Sequence, residues 1–497
     1  MSNPEIVMAS KPQKESINGT DLEVINLSSY VAGKKIESDK VLEVRSPYDN
    51  RLVGTVKLAN SSHANEAIEI AISKKKERLA LTRYDRYSVL EKARTLFLER
   101  KEEFAQIISA ESGLAIREGR YETGRTQDVF LFAAIETLHD DGEIFSCDIT
   151  PHGKARKIFT LRVPLSLAVC ITPFNHPLNQ VVHKILPALA VGTPVILKPS
   201  EKTPLSAIKL AELLYEAGLP HYMLSVLLGP TNEIAEPLVK DPRVEIVSFT
   251  GSVAVGKHIA ATAGYKKVIL ELGGNDPLII MEDADMEKAV FLASEGSFRN
   301  SGQRCTAVKR ILVHEKIKDE FTKKFVEKAK EYSFGDPADP ETMVGTVIDE
   351  AAASHLEDVV KKAVAQGAKV ILGGKHEGAL MEPTVIVDVP RDAEMVMKES
   401  FGPLAPIMTF KDIDDAIALS NSTAYGLSSG IVTNNMEYAL KFVKELNVGT
   451  VNINEVPGYR IERSPFGGIK DSGLGVKEGV IEAMKCFTYV KTFSMPW

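Results

Sequence analysis

The 497-residue chain is too long for one ordinary core, and its length allows roughly three domains. Hydrophobic residues at 44% and charged residues at 26% are ordinary globular usage, which excludes a mostly disordered, collagen-like or coiled-coil protein. A net charge of −7 leaves no global basic field to hold nucleic acid.

Cys147, Cys170, Cys305 and Cys486 cannot staple a chain of this size, so a reducing, cytoplasmic compartment is expected. The opening, MSNPEIVMASKPQKE, has no charged-then-apolar signal architecture, and residues 1 to about 22 are polar and predicted to be mobile. The most apolar stretch, Ile185 to Leu197, is broken by Pro187, Gly192 and Pro194, so no membrane span is expected.

From Val41 to Leu58 the pattern predicts two short strands around a Pro/Asp/Asn turn. Three long helices follow, near 63–79, 84–111 and 114–140; in the second, Leu90, Ala93, Phe97, Phe104 and Ile107 recur at helical spacing. The runs LSLAVCIT (165–172), TPVILKPS (193–200), MLSVLLG (223–229), VEIVSFT (244–250) and KKVILEL (266–272) are continuously apolar, as in strands buried on both faces. Alternation of such strands with helices predicts a doubly wound parallel sheet, whose ligands bind beyond the carboxyl ends of the strands. Those ends carry Asn175, Lys198–Ser200, Gly229, Thr250–Ser252 and Glu271–Gly274. A second α/β series, about 276–454, predicts a separate domain. The stretches 153–164 and 487–497 read as strands outside either core, and free strand edges predict oligomerisation.

Cys305 in NSGQRCTAVKR has small, polar neighbours and an adjacent Arg304, which suits an accessible thiol whose thiolate is favoured by positive charge; the competing reading is a small core hydrophobe, which fits Cys170 and Cys147 better. Glu271 ends a buried strand before Gly273–Gly274, so it is either a general base raised by desolvation or one half of an ion pair. Asn175 in PFNHP can donate from a strand end, as an oxyanion hole requires, or cap a helix. The turn GSVAVGKH (251–258) offers free N–H groups to a phosphate, but His258 replaces the Ser/Thr of a P-loop, which weighs against magnesium-dependent nucleotide hydrolysis. No G-x-G-x-x-G occurs. His176 and His183 have no zinc-ligand spacing around them, and no metal is predicted. The arginines Arg117, Arg120, Arg125, Arg304, Arg460 and Arg463 cannot be brought together by spacing alone.

Cys305, Glu271, PFNHP, KPSE (198–201), FTGS (249–252), ESFGP (399–403) and PFGGIKDSG (465–473) occur in one order along one chain. Together they resemble the aldehyde dehydrogenase superfamily from about Val41 to the C-terminus. The resemblance implies a cofactor-binding unit from 1–146 and 168–273, a catalytic unit from 274–477, and bridging strands at 147–167 and 478–497 that join a homodimer or homotetramer. It implies a dinucleotide held by Pro173, Phe174, Lys198, Ser200, Glu201, Gly251, Ser252, Gly273, Glu399 and Phe401. A carboxylate at 201 favours NAD, with NADP possible. It also implies a mechanism. Cys305 attacks the aldehyde, Asn175 and the Cys305 N–H hold the oxyanion, hydride passes to the nicotinamide, and Glu271 activates water to release an acid rather than an acyl-coenzyme A.

The pocket positions implied by the resemblance hold Arg125, His176, Arg304, Thr306 and Arg460, donors that suit an anionic aldehyde. The stretch from Asn454 to Trp497 looks closely like the branch that oxidises phosphonoacetaldehyde to phosphonoacetate in phosphonate breakdown. Glyceraldehyde 3-phosphate, succinate semialdehyde and lactaldehyde are the competing substrates. A scaffold without turnover has no chemical reason to keep Cys305, Glu271 and Asn175 together.

Overall fold

The computed structural model describes residues 7–8, 23–475 and 478–497. The polar segment expected to be mobile lies outside the described residues, apart from the short strand Val7–Met8. The five apolar runs form strands β1 (Ala168–Ile171), β2 (Val195–Lys198), β3 (Leu224–Val226), β4 (Ile246–Thr250) and β5 (Lys267–Glu271). They pair in the order β5-β4-β1-β2-β3, all parallel, and the hairpin Tyr30–Lys35 extends the β3 edge. Alternate residues serve two cores. Ala168, Cys170, Val195, Leu197, Leu224 and Val226 pack on one face, while Val169, Ile171, Ile196, Val247 and Leu270 pack on the other. This two-sided burial is why the runs show no polar alternation. Strand order reverses at β1, so the crevice between the ends of β1 and β4 is the topological switch point.

The second series forms β6 (Pro277–Ile280), β7 (Arg310–His314), β8 (Lys369–Leu372), β9 (Thr384–Val387), β10 (Leu404–Phe410), β11 (Ser428–Val432) and β12 (Thr450–Ile453). Their order is β8-β9-β10-β7-β6-β11-β12, parallel except for β8, which runs antiparallel to β9. Residues 272–276 carry the chain from the end of β5 directly into β6, and the functional side chains gather around that crossing.

Arg156–Pro164 pairs along its whole length with Thr488–Pro496, and Ile144–Ser146 adds a third strand. This arm therefore begins at Ile144, ahead of the boundary expected at 147. Residues 478–487 do not belong to it: Glu478 bridges to Phe466, and the helix Val480–Cys486 packs on the first core through Val480, Ala483 and Phe487.

The expected helix over 84–111 is two helices, Arg83–Glu99 and Lys101–Ser112, because Arg100 leaves helical geometry and forks onto Glu216. Phe97 and Phe104, on either side of the break, have ring centroids 5.1 Å apart. The segment expected at 63–79 also divides, into Ser61–Ser73 and Lys75–Ala80. The third expected helix is α1 (Ile116–Thr137). Further helices used below are α2 (Asn179–Val191), α3 (Val253–Ala263) and α4 (Met286–Phe298).

Candidate active site

The loop after α4 brings Cys305 to the crossing. Asn300, Ser301 and Gly302 take φ of +56°, +52° and +68°, three consecutive left-handed residues that fold the chain back on itself. Gly302 is needed there, since a Cβ would stand 2.1 Å from the Gly402 carbonyl oxygen. Gly274 is needed opposite, since its Cβ would stand 2.4 Å from the carbonyl oxygen of Cys305. The segment that follows Glu271 thus packs directly on the cysteine loop, which is half-buried at Cys305.

Asn175 lies on the other side of that loop. Its side-chain amide donates to the Gln303 carbonyl at 2.8 Å, and the Asn300 amide donates to the Asn175 carbonyl at 3.1 Å. Helix α2 begins only at Asn179, so Asn175 caps nothing. One of its N–H bonds orients the amide against the loop, and an amide carries a second.

The charge around the thiol differs from expectation. The guanidinium of Arg304 donates to the carbonyl oxygens of Glu295 (2.9 Å) and Gly296 (2.6 Å), at the end of α4. Adjacency in sequence therefore does not make Arg304 the cation that supports Cys305. Burial pushes the Cys305 thiol up to about 11, and Lys309 and Arg460 pull it back down. Asp276 and Glu399 raise it further. Burial thus favours the thiol form, and the cations that favour the thiolate are Lys309 and Arg460 rather than Arg304.

Lys309 was not legible as a site residue, yet its ammonium donates to the carbonyls of Arg304 (2.7 Å) and Cys305 (2.6 Å) and stands 3.1 Å from Glu399. A buried lysine four residues after the cysteine was the only available signal. Glu399 also accepts from the Gly274 N–H at 3.1 Å, and a Cβ on Gly273 would meet it at 2.3 Å.

The anticipated substrate positions do come together. His176 is driven well below the usual histidine range by burial and then by Arg125, Arg304, Arg460 and Arg299. The positive field of four guanidinium groups thus favours its neutral form. Two of the four have carboxylate partners: Arg299 pairs with Glu118 at 2.9 Å, and Arg125 pairs with Glu462. Arg460 stacks 3.9 Å above the Phe466 ring, and its buried Nη1 has no partner among the described residues. Thr306 packs against Gly458 in the loop that carries Arg460. Glu462 also hydrogen-bonds His183, whose imidazole is held by burial below the usual histidine range, so that histidine is a buried hydrogen-bond partner. Neither Glu462 nor Arg299 was singled out from sequence, because their partners are distant in the chain.

The ends of β1, β2 and β4 fit a dinucleotide. Thr172 Oγ1 and Thr250 Oγ1 are buried without partners among the described residues, on either side of the switch point. Lys198 and Glu201 form an ion pair at the end of β2. Ser252 caps α3 by accepting from Val255 N–H, so the first amides of that helix follow Gly251 at the crevice. Phe174 and Phe401 meet edge-on at 5.9 Å, and Phe401 is held at φ +57°. These groups supply hydroxyl, carboxylate, ammonium and helix-end donors, the set that ribose hydroxyls and a pyrophosphate require.

The aldehyde dehydrogenase family model matches residues 34–493 of this sequence. The chain belongs to the aldehyde dehydrogenase family. Members of this family are oxidoreductases acting on aldehyde groups. The 3-sulfolactaldehyde dehydrogenase of Priestia aryabhattai is 41% identical over 450 residues, covering 90% of this chain and 94% of its own. The sulfoacetaldehyde dehydrogenase of Neptuniibacter caesariensis is 36% identical over 447 residues, covering 90% and 98%. The glyceraldehyde-3-phosphate dehydrogenase of Methanocaldococcus jannaschii, solved complexed with NADP, is 38% identical with a TM-score of 0.88, covering 92% of this chain and 99% of its own. Among the described residues, no helix of this aldehyde dehydrogenase is long and apolar enough to cross a membrane.

Proposed function

We propose that this enzyme oxidises a small aldehyde carrying an anionic head, phosphonoacetaldehyde in the first place, to the corresponding carboxylate. The observation that carries the reading is that four guanidinium groups act on His176, of which Arg304 and Arg460 have no carboxylate ion-pair partner among the described residues. Half-buried cations of this kind are relieved when an anion sits among them. Two guanidinium groups without a directly paired carboxylate suit a phosphonate dianion better than a singly charged sulfonate. Similarity to sulfolactaldehyde and sulfoacetaldehyde enzymes supports the class of tetrahedral oxyanion head and favours sulfonate as the second reading.

The roles follow from position. Cys305 loses its proton and its sulfur bonds to the aldehyde carbon. The developing oxyanion is held by the free Asn175 amide hydrogen and the Cys305 N–H. A dinucleotide, when bound, supplies the hydride acceptor, and Lys198, Glu201, Ser252 and Glu399 are the residues that would hold it. Glu271 takes a proton from water, whose oxygen replaces the Cys305 sulfur and releases the acid. Glu201 at the end of β2 would accept from a 2′-hydroxyl and oppose a 2′-phosphate, so NAD is the preferred oxidant and NADP the secondary one.

The arm exposes Val490, Phe493, Met495 and Trp497, and we read its open edge as the contact that builds a homodimer or homotetramer in the cytoplasm. In this reading the first sheet would serve the cofactor-binding unit and the second the catalytic unit.

The test is NADH formation with phosphonoacetaldehyde, sulfoacetaldehyde, glyceraldehyde 3-phosphate and acetaldehyde, for the wild type and Arg460→Met. The proposal expects phosphonoacetaldehyde to give the highest kcat/KM. It expects Arg460→Met to cost about 2–5 kcal/mol with the anionic aldehydes and little with acetaldehyde. Equal losses across the four would defeat the anion pocket.

A further inference from the structure

A second basic cavity lies away from the crossing, at the root of the arm. It encloses about 360 Å³ between the segment Arg78–Arg86, the end of α1, the end of α2, and the helix and strand that follow Val480. Its charged lining is Arg78, Arg83, Arg86, Arg162 and Lys485 against Glu136 and Asp141. Most of these are neutralised locally: Arg83 by Asp140, Arg162 by Asp141, and Lys485 by Glu482. Arg78 and Arg86 have no carboxylate ion-pair partner among the described residues. Arg78 is only 3% exposed; Nη1 donates to the carbonyls of Leu165 and Gly192, while Nε is buried without a partner among the described residues. Arg86 donates to the carbonyls of Ala190 and Leu81, and burial together with Arg83 pushes it down to about 10. Two guanidinium groups, one buried and one half-buried, that both reach the Gly192 turn and have no directly paired carboxylate among the described residues are an arrangement an oxyanion relieves. The rest of the wall is apolar, formed by Leu79, Leu81, Val191, Ile481 and Met484. The cavity is therefore larger and drier than a bare oxyanion needs.

We infer that this cavity is a second binding site for a small organic anion, a phosphoryl-type head on Arg78 and Arg86 with an apolar body on the leucine and methionine wall. It is separate from the catalytic pocket, and the inference does not rest on the identity of the aldehyde. The two sites are nonetheless linked by ion pairs. Glu136 lines the cavity and takes Arg463 at 2.6 Å, and the preceding residue, Glu462, holds Arg125 in the catalytic pocket.

The test uses phenyl phosphate as the probe and isothermal titration calorimetry of the full chain, with phenol as the uncharged control. Arg460→Met weakens the competing catalytic-pocket anion site. In that background the inference expects one site per chain for phenyl phosphate and none for phenol. Adding Arg86→Met should weaken the site at least about tenfold, equivalent to about 1.4 kcal/mol. Leu79→Asp puts a carboxylate at the rim from a position already 53% exposed, so it spares the core and should weaken the site likewise. Loss of all phenyl phosphate binding on Arg460→Met alone would overturn the inference. So would binding that survives Leu79→Asp unchanged.

Discussion

Lys309 and Glu399 form an ion pair, 3.1 Å between Nζ and Oε1, and the same ammonium fixes the carbonyl oxygens of Arg304 and Cys305. Lys309 is 2% exposed and Glu399 16%, so the pair is shielded from water. Replacing Lys309 by Met leaves a carboxylate and two carbonyls without their cation. The expected cost is about 3–5 kcal/mol of stability, read by urea unfolding, with a parallel fall in kcat. An unchanged urea midpoint would show that Lys309 holds nothing.

The Cys305 thiol, raised by burial from an ordinary 9.0 to about 11, fixes a pH dependence. In the cofactor-free enzyme, iodoacetamide labelling of Cys305 should accelerate steadily from pH 7 to 10 without levelling off. Removing the cation at Arg460→Met should slow labelling at every pH in that range. The sign for stability is the reverse. The folded state keeps its proton longer than the unfolded chain, so this group's contribution is complete below pH 9 and is lost as pH rises toward 11. A labelling rate that levels off near pH 7 would mean a preformed thiolate.

Glu462 is held well below the usual carboxylate range: burial opposes ionisation, but His183 and Arg125 outweigh it. Its contribution to stability is present above the ordinary carboxylate value of 4.5 and is lost only as pH falls toward the folded value. Glu462→Gln should therefore cost about 3–5 kcal/mol at pH 7 and at pH 5 alike, narrowing below pH 4.5. It should also raise KM for the anionic aldehyde by releasing Arg125. Thermal unfolding across pH, with steady-state kinetics at pH 7, checks both.

Glu201 pairs with Lys198 at the end of β2. Glu201→Ala removes the acceptor for a 2′-hydroxyl and the repulsion of a 2′-phosphate. The ratio of kcat/KM with NAD to that with NADP should fall at least about tenfold, the size of one lost charge-assisted hydrogen bond. An unaltered ratio would assign cofactor choice to other residues.

The strands were legible because each buries both faces, so continuous apolar runs such as VEIVSFT and TPVILKPS could be little else. Asn175 and Glu271 were legible as candidates because they follow buried apolar runs, but only the ordered set of motifs placed them with Cys305, which lies on a loop after a helix. What surrounds them was not. Glu462 meets Arg125 across 337 residues of sequence, and Lys309 meets Glu399 only through the second sheet. Arg304 misled because it is the nearest cation in sequence, yet its side chain turns back to α4. The break at Arg100 was hidden because the apolar spacing stays helical on both sides of it.

The chemistry turns on a thioester between Cys305 and an anionic acyl group. It is tested most directly in Glu271→Gln, where hydrolysis should stall. After mixing with phosphonoacetaldehyde and NAD, acid quench and peptide mass spectrometry should find the phosphonoacetyl adduct on the peptide containing Cys305, with acetaldehyde giving far less. An adduct on Cys147 or Cys486, or none on Cys305 despite a burst of NADH, would contradict the account.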